Sequence, residues 1–377
     1  MADPGFDYVF TALRGVQAGR AYYAAMCPLR LIPRIFLFDE EEIAPEARAQ
    51  RTINRTRIPE IARYLVDNPD SYVFSSLTAS IDGEVRFEPL DGDAESARDT
   101  VGRLVIPMTA KFVINDGQHR RAAIEEALRE RPELGDETIS VVFFIDQSLQ
   151  RAQQMFADLN RHAIRPTKSI GILYDHRDQL SQLARQMTSD VETFQGLVEL
   201  EKTSISNRSR KLFTLSAIHS ATRRLLRKKK AQPVSEAEAE LAREFWTEVG
   251  KNMPDWQAAS RREVAPSELR KDCVHAHGVA LQALAIAGSD LIAQQPKRWK
   301  SKLRVLKKVN WNRQNVELWE GRAMVAGRIS KAQLNVRLTA NILKQELGLP
   351  LSSEDKRAEE RHARSKKPTR RTRRKPT

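Results

Sequence analysis

Residues 112–131 read FVINDGQHRRAAIEEALRER, and this stretch decides the fold of the first half of the chain. An apolar, β-branched run ends at Asn115 and Asp116, and a single glycine follows. Apolar residues then recur at helical spacing, with Ile124 and Leu128 on one face. The sequence therefore predicts a strand, a tight turn and a helix.

The predicted turn puts polar side chains and free backbone N–H groups at a helix N-terminus, which suits an anion such as phosphate. Glycine in the turn would let the backbone approach a phosphate closely. The residues expected to line this phosphate or nucleotide site are Gly117, Gln118, His119, Arg120 and Arg121.

Two other interpretations of the same turn stay open. In a catalytic one, Asp116 would hold a metal or orient a water, and His119 and Arg120 would stabilise phosphate charge. In a structural one, Asp116 caps the helix through its backbone N–H groups. No third acid at clear metal spacing accompanies Asp116, so the sequence predicts no metal site there.

The word DGQHR at 116–120 resembles the signature of the DGQHR-domain proteins. Residues 8–19 (YVFTALRGVQAG), 26–29 (MCPL) and 156–161 (FADLNR) extend the likeness to the DndB family. Members of that family regulate the gene cluster for DNA phosphorothioation, a sulfur modification. The resemblance covers residues from about 7 to 350.

This resemblance implies an α+β fold, with a mixed-sheet N-terminal domain similar to the ParB and sulfiredoxin superfamily. Sulfiredoxin-like domains bind nucleotide phosphates with a similar Gly-x-His-Arg turn, so the implied cofactor, if there is one, is a nucleotide with Mg²⁺. By the same resemblance, Asp158, Asn160 and Arg161 would complete the pocket. Their alternative is an ordinary helix C-terminus, where asparagine and arginine are common.

Two groups of sulfur and nitrogen donors need an interpretation. The place of Cys27 in the resembled family implies a regulatory thiol that tunes DNA binding, whereas a free cysteine is more commonly a small buried apolar residue. On a helix, Cys273 and His277 would share a face while His275 points away. That leaves two ligands where a structural zinc site needs four, so no metal site is predicted.

The chain carries a net charge of +14, which favours a polyanionic partner. Nine lysines and arginines lie between residues 361 and 375, so the rest of the chain is only mildly basic. No apolar run reaches the roughly 18 residues of a membrane span, and no signal peptide is recognisable. Two cysteines make no disulfide framework, so a cytoplasmic, reduced protein is expected.

The pattern changes from mixed α/β to almost entirely helical near Pro166. We therefore predict an α/β domain over 1–165, a helical domain over 166–350 and a disordered basic tail over 351–377. Within them, Asp82-Gly83 predicts a hairpin turn, and residues 271–287 predict a helix.

Three basic clusters in the helical part are candidates for DNA contact, although each could also be a solvated face. Their residues are Arg208, Arg210, Lys211, Arg223, Arg224, Arg227, Lys297, Arg298, Lys300, Lys302 and Arg304. With the resemblance, they predict a homo-oligomeric repressor that binds double-stranded promoter DNA of the phosphorothioation operon. The alternatives are a nucleotide-hydrolysing or DNA-nicking enzyme that uses the DGQHR turn, and a non-catalytic partner of other phosphorothioation proteins.

Overall fold

The computed structural model describes residues 6–36, 57–90, 100–145, 154–155, 158–159, 166–229 and 232–366. The chain divides into two compact units, Met1–Ile164 and Arg165–Thr377. The first combines a mixed sheet with helices, and the second is mainly helical. The predicted α+β class, with its mixed-sheet N-terminal part followed by helices, is confirmed. No helix among the described residues has the length and apolar character to cross a membrane.

The described residues of the first unit contain the following seven strands and three α-helices. The strands are β1 (Asp7–Gln17), β2 (Arg20–Pro28), β3 (Leu77–Asp82), β4 (Arg86–Pro89), β5 (Val101–Pro107), β6 (Lys111–Asp116) and β7 (Thr138–Ile145). The helices are α1 (Ile32–Ile35), α2 (Ile58–Asp67) and α3 (Gln118–Glu130), with 3₁₀ turns at Leu29–Leu31 and Pro132–Asp136. The strand, turn and helix predicted from residues 112–131 are confirmed as β6, Gly117 and α3.

The seven strands form one sheet in the order β4-β5-β1-β2-β7-β3-β6. Every neighbouring pair is antiparallel except β3 and β7. Residues 83–85 join β3 to β4, which stand five places apart in this order. Five strand spacings of a flat sheet measure about 24 Å, whereas this link spans about 14 Å at most. The sheet must therefore curl. The rings of Tyr8 on β1 and Phe112 on β6, strands four places apart in the order, are 6.1 Å apart and also indicate this curl.

The predicted Asp82-Gly83 hairpin is wrong. A turn follows β3 at this point, but β3 pairs with β6 and β7, and β4 pairs with β5. The dipeptide specifies a change of direction, while strand pairing is decided by the curled sheet and its core. That core lies between one face of the sheet and the three helices, where Phe143, Leu65 and Ile124 are fully buried.

Along its described residues, the second unit begins with five α-helices and two short strands. They are α4 (Lys168–Tyr174), α5 (Gln179–Asp190), β8 (Val198–Glu199), β9 (Phe213–Thr214), α6 (Leu215–Leu225), α7 (Glu236–Lys251) and α8 (Pro254–Ser260). Helix α7 starts with a capping box between Ser235 and Glu238, an arrangement that satisfies two otherwise unpaired N–H groups.

Six further α-helices and a β-hairpin follow in the part of this unit that the structure describes. They are α9 (Pro266–Asp272), α10 (Gly278–Gln294), α11 (Trp299–Lys302), α12 (Val316–Trp319), β10 (Met324–Val325), β11 (Arg328–Ile329), α13 (Gln333–Glu346) and α14 (Ser353–Lys366). Helix α10 is buried along most of its length, and the side chains of Trp246, Trp256 and Phe245 are fully buried in the same core. Truncating one such aromatic residue to alanine typically costs about 3–5 kcal/mol of stability.

The helix predicted over 271–287 starts later than expected. Helix α9 ends at Asp272, the backbone of Cys273 is extended, and a 3₁₀ turn precedes α10. Cys273 forms a β-bridge with Asn312, and the Val274 N–H donates to the Trp311 carbonyl at 2.9 Å. These tertiary hydrogen bonds replace the helical ones that the apolar periodicity alone predicts.

The tail predicted to be disordered over 351–377 is helical over Ser353–Lys366, so that prediction is wrong for this part. Polar contacts hold α14 in place. The Lys344 ammonium donates to Asp355 at 2.8 Å, and Arg322 donates to both carboxylate oxygens of Glu359 at 2.8 and 2.6 Å. Because α14 has few apolar residues, its composition resembled that of a disordered segment.

Candidate functional site

The DGQHR turn lies between the end of β6 and the start of α3. Gly117 is the N-cap residue of α3 and has a φ of +106°, a backbone conformation that favours glycine. No side chain caps the helix, so Asp116 does not have the capping role of the structural interpretation. The Gln118 side-chain amide donates to the Ile114 carbonyl at 3.0 Å, which fastens the first residue of α3 to β6.

Asp116 and Arg120 are ion-paired across the turn. The Arg120 guanidinium donates to the Asp116 carboxylate at 2.8 Å and also to the Ser75 hydroxyl. A Cβ atom at Gly117 would collide with Leu77 and would lie 3.0 Å from the Arg120 guanidinium. The glycine thus makes room for Arg120, and a phosphate would have to compete with Asp116 for that cation.

His119 follows the turn and is half-buried. Burial, together with the positive charge of Arg57, lowers the pKa of His119, and the nearby Asp116 carboxylate only partly opposes this shift. The imidazole is therefore neutral at pH 7, so it can exchange a proton or donate one hydrogen bond but adds no positive charge to the turn.

Arg121 is a buried structural residue. Its guanidinium donates to the carbonyl oxygens of Phe36 at 2.9 Å and of Pro33 at 3.1 Å, and pairs with Glu125. These contacts tie α3 to the end of α1. We therefore leave Arg121 out of any phosphate site, although the sequence placed it among the residues expected to line one.

Asn115, just before the turn, was not among the predicted site residues. Its side chain is fully buried, and its amide donates to the Ser80 hydroxyl at 2.7 Å. Its amide oxygen has no hydrogen-bond partner among the described residues. An asparagine at the end of an apolar strand is the only sequence signal for such a position.

The second predicted part of this pocket is only partly described. Asp158 is exposed and accepts a hydrogen bond from the Gln154 side chain at 2.8 Å. Asn160 and Arg161 lie outside the residues that the structure describes. Their completion of the pocket remains a prediction.

Cys27 lies in the core of the first unit with no exposed surface. Burial raises the pKa of its thiol to about 12, so the reactive thiolate is scarce at neutral pH. This environment matches the alternative of a small buried residue more closely than that of an accessible regulatory thiol.

The Cys273, His275 and His277 side chains are not arranged as a common metal site. The Trp256 indole N–H donates to Nδ1 of His275 at 3.1 Å, so Nε2 carries the proton and donates to Asp255 at 2.7 Å. Nε2 of His277 donates instead to the Arg270 carbonyl at 2.8 Å. Asp255, Cys273 and His275 do lie within 4.8 Å of one another, but both nitrogens of His275 are already committed.

The first basic cluster lies on the loop before β9. Arg208 and Arg210 are exposed, and their side chains form no hydrogen bond or ion pair with any residue in the described ranges, whereas Lys211 donates to the Gly196 carbonyl at 2.9 Å. Arg270, which was not predicted, organises this loop. Its guanidinium donates to the carbonyl oxygens of residues 206, 207, 209 and 211.

The second cluster, at the end of α6, is largely committed to intramolecular contacts. Arg224 donates to Gln282 at 2.9 Å, and Arg227 pairs with Asp290 at 2.7 Å. Both side chains therefore join α6 to α10. Arg223 alone in this cluster has no side-chain partner in the part of the chain that the structure describes, and it is half-exposed.

The third cluster is the one we call the basic segment, residues 297–308. Trp299, Leu303 and Leu306 anchor it by burying their side chains. Lys300 pairs with Glu244 at 3.0 Å and lies 5.4 Å above the Trp299 ring. Six exposed cations have no partner among the described residues: Lys297, Arg298, Lys302, Arg304, Lys307 and Lys308. The segment contains no acidic residue.

Together these observations define a two-unit α/β protein that joins a curled mixed sheet to a helical unit with an anchored basic segment. The family model described as DndB, DNA-sulfur modification-associated, matches residues 10–350. The chain belongs to the DndB family and is thus associated with DNA sulfur modification. Neither the curated proteins nor the solved structures include a match to this chain.

Proposed function

We propose that this chain is a DNA-binding transcriptional repressor that binds the promoter region of the phosphorothioation genes. Membership of the DndB family supplies the link to DNA sulfur modification. The observation that carries the DNA-binding part is the basic segment, whose six cations have no counter-charge among the described residues.

The anchoring of the basic segment matters for this proposal. Trp299, Leu303 and Leu306 hold the backbone against the core, so the cations on the other side keep a defined spacing. A held array loses less side-chain and backbone entropy on binding than a flexible tail does. Such an array suits the phosphates of a duplex, which position a protein before bases are read.

The proposal also includes a second group of exposed cations, a homo-oligomeric state and protein partners. Arg208 and Arg210, on the loop fastened by Arg270, add exposed cations in the same unit. A homo-oligomer would place two such surfaces on two half-sites of an operator. Other proteins of the phosphorothioation system are further proposed partners.

An enzymatic role of the DGQHR turn has less support. Asp116 and Arg120 neutralise each other, and Gly117 is crowded by Leu77 and Arg120. A catalytic Asp116 would first have to release Arg120. We therefore assign the turn a structural role in the first unit, with any phosphate contact there secondary to the basic segment.

The proposal is tested by fluorescence anisotropy of the full chain on its own upstream promoter fragment and on a scrambled duplex of equal length. A preference of about 10³ or more for the promoter at moderate salt is expected of a specific repressor. Equal affinity for both duplexes would overturn the assignment as a promoter-specific regulator.

A further inference from the structure

The helical unit contains a cavity of about 700 Å³ that the proposed function does not use. Its walls come from six segments: the loop at 203–207, residues 212–217 at the start of α6, residues 267–271 of α9, the turn before α10, Arg313 and the segment around β11. Small-molecule sites typically occupy about 300–1,000 Å³. The cavity therefore has the volume of a metabolite site.

The walls of this cavity are strongly cationic. Five of the lining residues carry positive charge and one, Glu268, carries negative charge; the cations are Arg270, Lys271, Arg313, Arg328 and Lys331. The guanidinium groups of Arg270 and Arg313 donate hydrogen bonds to backbone carbonyl oxygens, and these bonds hold the walls of the cavity in place. Lys271, Arg328 and Lys331 have no side-chain partner within the described ranges. Unpaired cations in a cavity call for an anionic ligand.

The N-terminus of α10 lies at the same cavity and is a second feature that attracts an anion. Gly278, the first residue of this 17-residue helix, lines the cavity. A Cβ atom there would lie 3.6 Å from the Lys331 ammonium and 3.2 Å from the Ala217 methyl group. The ammonium thus lies beside the first helical turn, whose amide N–H groups and dipole also attract an anion.

The rest of the lining suits an organic body attached to that anion. Apolar surface comes from Ile205, Leu212 and Ile329, and hydroxyl or amide groups come from Thr203, Ser204 and Asn207. Glu268 can accept hydrogen bonds from amino or hydroxyl groups. A bare anion would use none of these groups.

We propose that this cavity binds a nucleoside phosphate. The phosphates lie against Lys271, Lys331 and the first turn of α10, and the nucleoside lies against the apolar and hydroxyl-bearing walls. This site is separate from the DGQHR turn, and its assignment does not depend on DNA binding by the basic segment.

The test is isothermal titration of the full chain with ATP, ADP and GMP, with pyrophosphate as the bare-anion probe. Wild-type protein is expected to bind at least one nucleotide, and more tightly than pyrophosphate. The double variant Lys271→Gln, Lys331→Gln is expected to bind that nucleotide at least about tenfold more weakly, because two charged hydrogen bonds to its phosphates are lost. Lys331→Arg, which keeps the charge, is expected to restore part of the affinity.

The matched control is Lys356→Gln, Arg357→Gln, which removes two exposed charges from α14, outside the cavity. It is expected to bind the nucleotide as the wild type does. Three outcomes would overturn the proposal: no binding of any nucleotide at millimolar concentration, equal affinity for pyrophosphate, or equal weakening in the control. Because the lysines are exposed, thermal melting of each variant is expected to match the wild type.

Promoter DNA supplies the remaining arm of the test. If a duplex displaces the nucleotide, and the double variant loses both ligands, the cavity is part of the DNA surface and the proposal fails. If the duplex binds without displacing the nucleotide, the two sites are separate, as proposed. Failure of DNA binding alone would leave the nucleotide result intact.

Discussion

Arg120 reaches back over Gly117 and donates to Asp116 at 2.8 Å, so the two charged ends of the DGQHR turn are partners of each other. The strand, the left-handed glycine and the helix are thereby fastened at one point. This arrangement explains the glycine by a need for space above its Cα atom, where Leu77 and the Arg120 guanidinium lie.

Gly117→Ala is expected to destabilise the first unit by more than Gly19→Ala. Both glycines have positive φ, which costs an L-residue about 1–2 kcal/mol. Nothing lies within 4 Å of a Cβ at Gly19, whereas one at Gly117 collides with Leu77. Urea unfolding of both variants measures the difference, and equal losses would show that crowding contributes nothing.

Two C-terminal truncations, one that removes α14 and one that begins just after it, are expected to differ in stability. Removal of residues 353–377 takes away Asp355 and Glu359 and leaves the buried Lys344 with Asp290 alone, so a loss of about 3 kcal/mol is expected. Removal of residues 367–377 leaves α14 intact and should leave the melting temperature unchanged. Equal melting temperatures for the two truncations would contradict the docking of α14.

The free energy of unfolding is expected to fall as the pH drops from about 7 to 5, and protonation of His277 is expected to cause part of this loss. Burial lowers the pKa of His277 in the folded chain to about 4, against about 6.5 when unfolded. The unfolded state therefore binds the proton first, and folding loses up to about 3 kcal/mol between these values. The measurement is the free energy of unfolding in urea at pH 7 and at pH 5. The difference between these two values should be smaller for His277→Gln than for the wild type. Replacing the exposed His176 by glutamine should leave the difference at its wild-type size.

A second acid-sensitive range is expected below about pH 4. Burial raises the pKa of Asp355, but hydrogen bonds from Lys344 and Ser352 outweigh it and hold that pKa below its usual value. Stability from this carboxylate is present above the unfolded pKa and is lost as the pH falls through the folded one. This range belongs to α14, so the chain truncated at residue 352 should lack it.

Cys27 is expected to react slowly with a thiol reagent in the native state. Its side chain has no exposed surface, and burial raises its pKa to about 12, so modification requires opening of the first unit. A Cys273→Ser background isolates the signal of Cys27. Labelling as fast in native protein as in urea would instead support the regulatory thiol implied by the family.

The sequence predicted individual strands and helices better than it predicted which other parts of the fold they pair or pack with. Residues 112–131 contain the whole pattern of strand, turn and helix that β6, Gly117 and α3 form. The pairing of β3 depends on a curled sheet whose edges are distant in sequence, which the Asp82-Gly83 dipeptide cannot report. Helix α14 depends on Lys344 and Arg322, which lie outside it.

The candidate sites show the same limit. Clusters of basic residues can be recognised in the sequence. The sequence does not show which of these cations are bound by other parts of the fold, as Arg121, Arg224 and Arg227 are. The cavity was missed because its lining comes from six separate segments of the chain. Arg270 is hydrogen-bonded to the loop at 206–211, and Arg313 and His277 both donate to the Arg270 carbonyl, so several of these segments are linked by contacts that the sequence alone does not indicate.

The most direct test of DNA binding by the basic segment is the salt dependence of promoter affinity after four of its cations are neutralised. The variant combines Lys297→Gln, Arg298→Gln, Lys302→Gln and Arg304→Gln. Its control neutralises four exposed but ion-paired cations, Arg86, Arg103, Arg129 and Lys251. The slope of log K against log salt should fall by about one unit for each lost phosphate contact, and the control should keep the wild-type slope. An unchanged slope in the basic-segment variant would contradict the account.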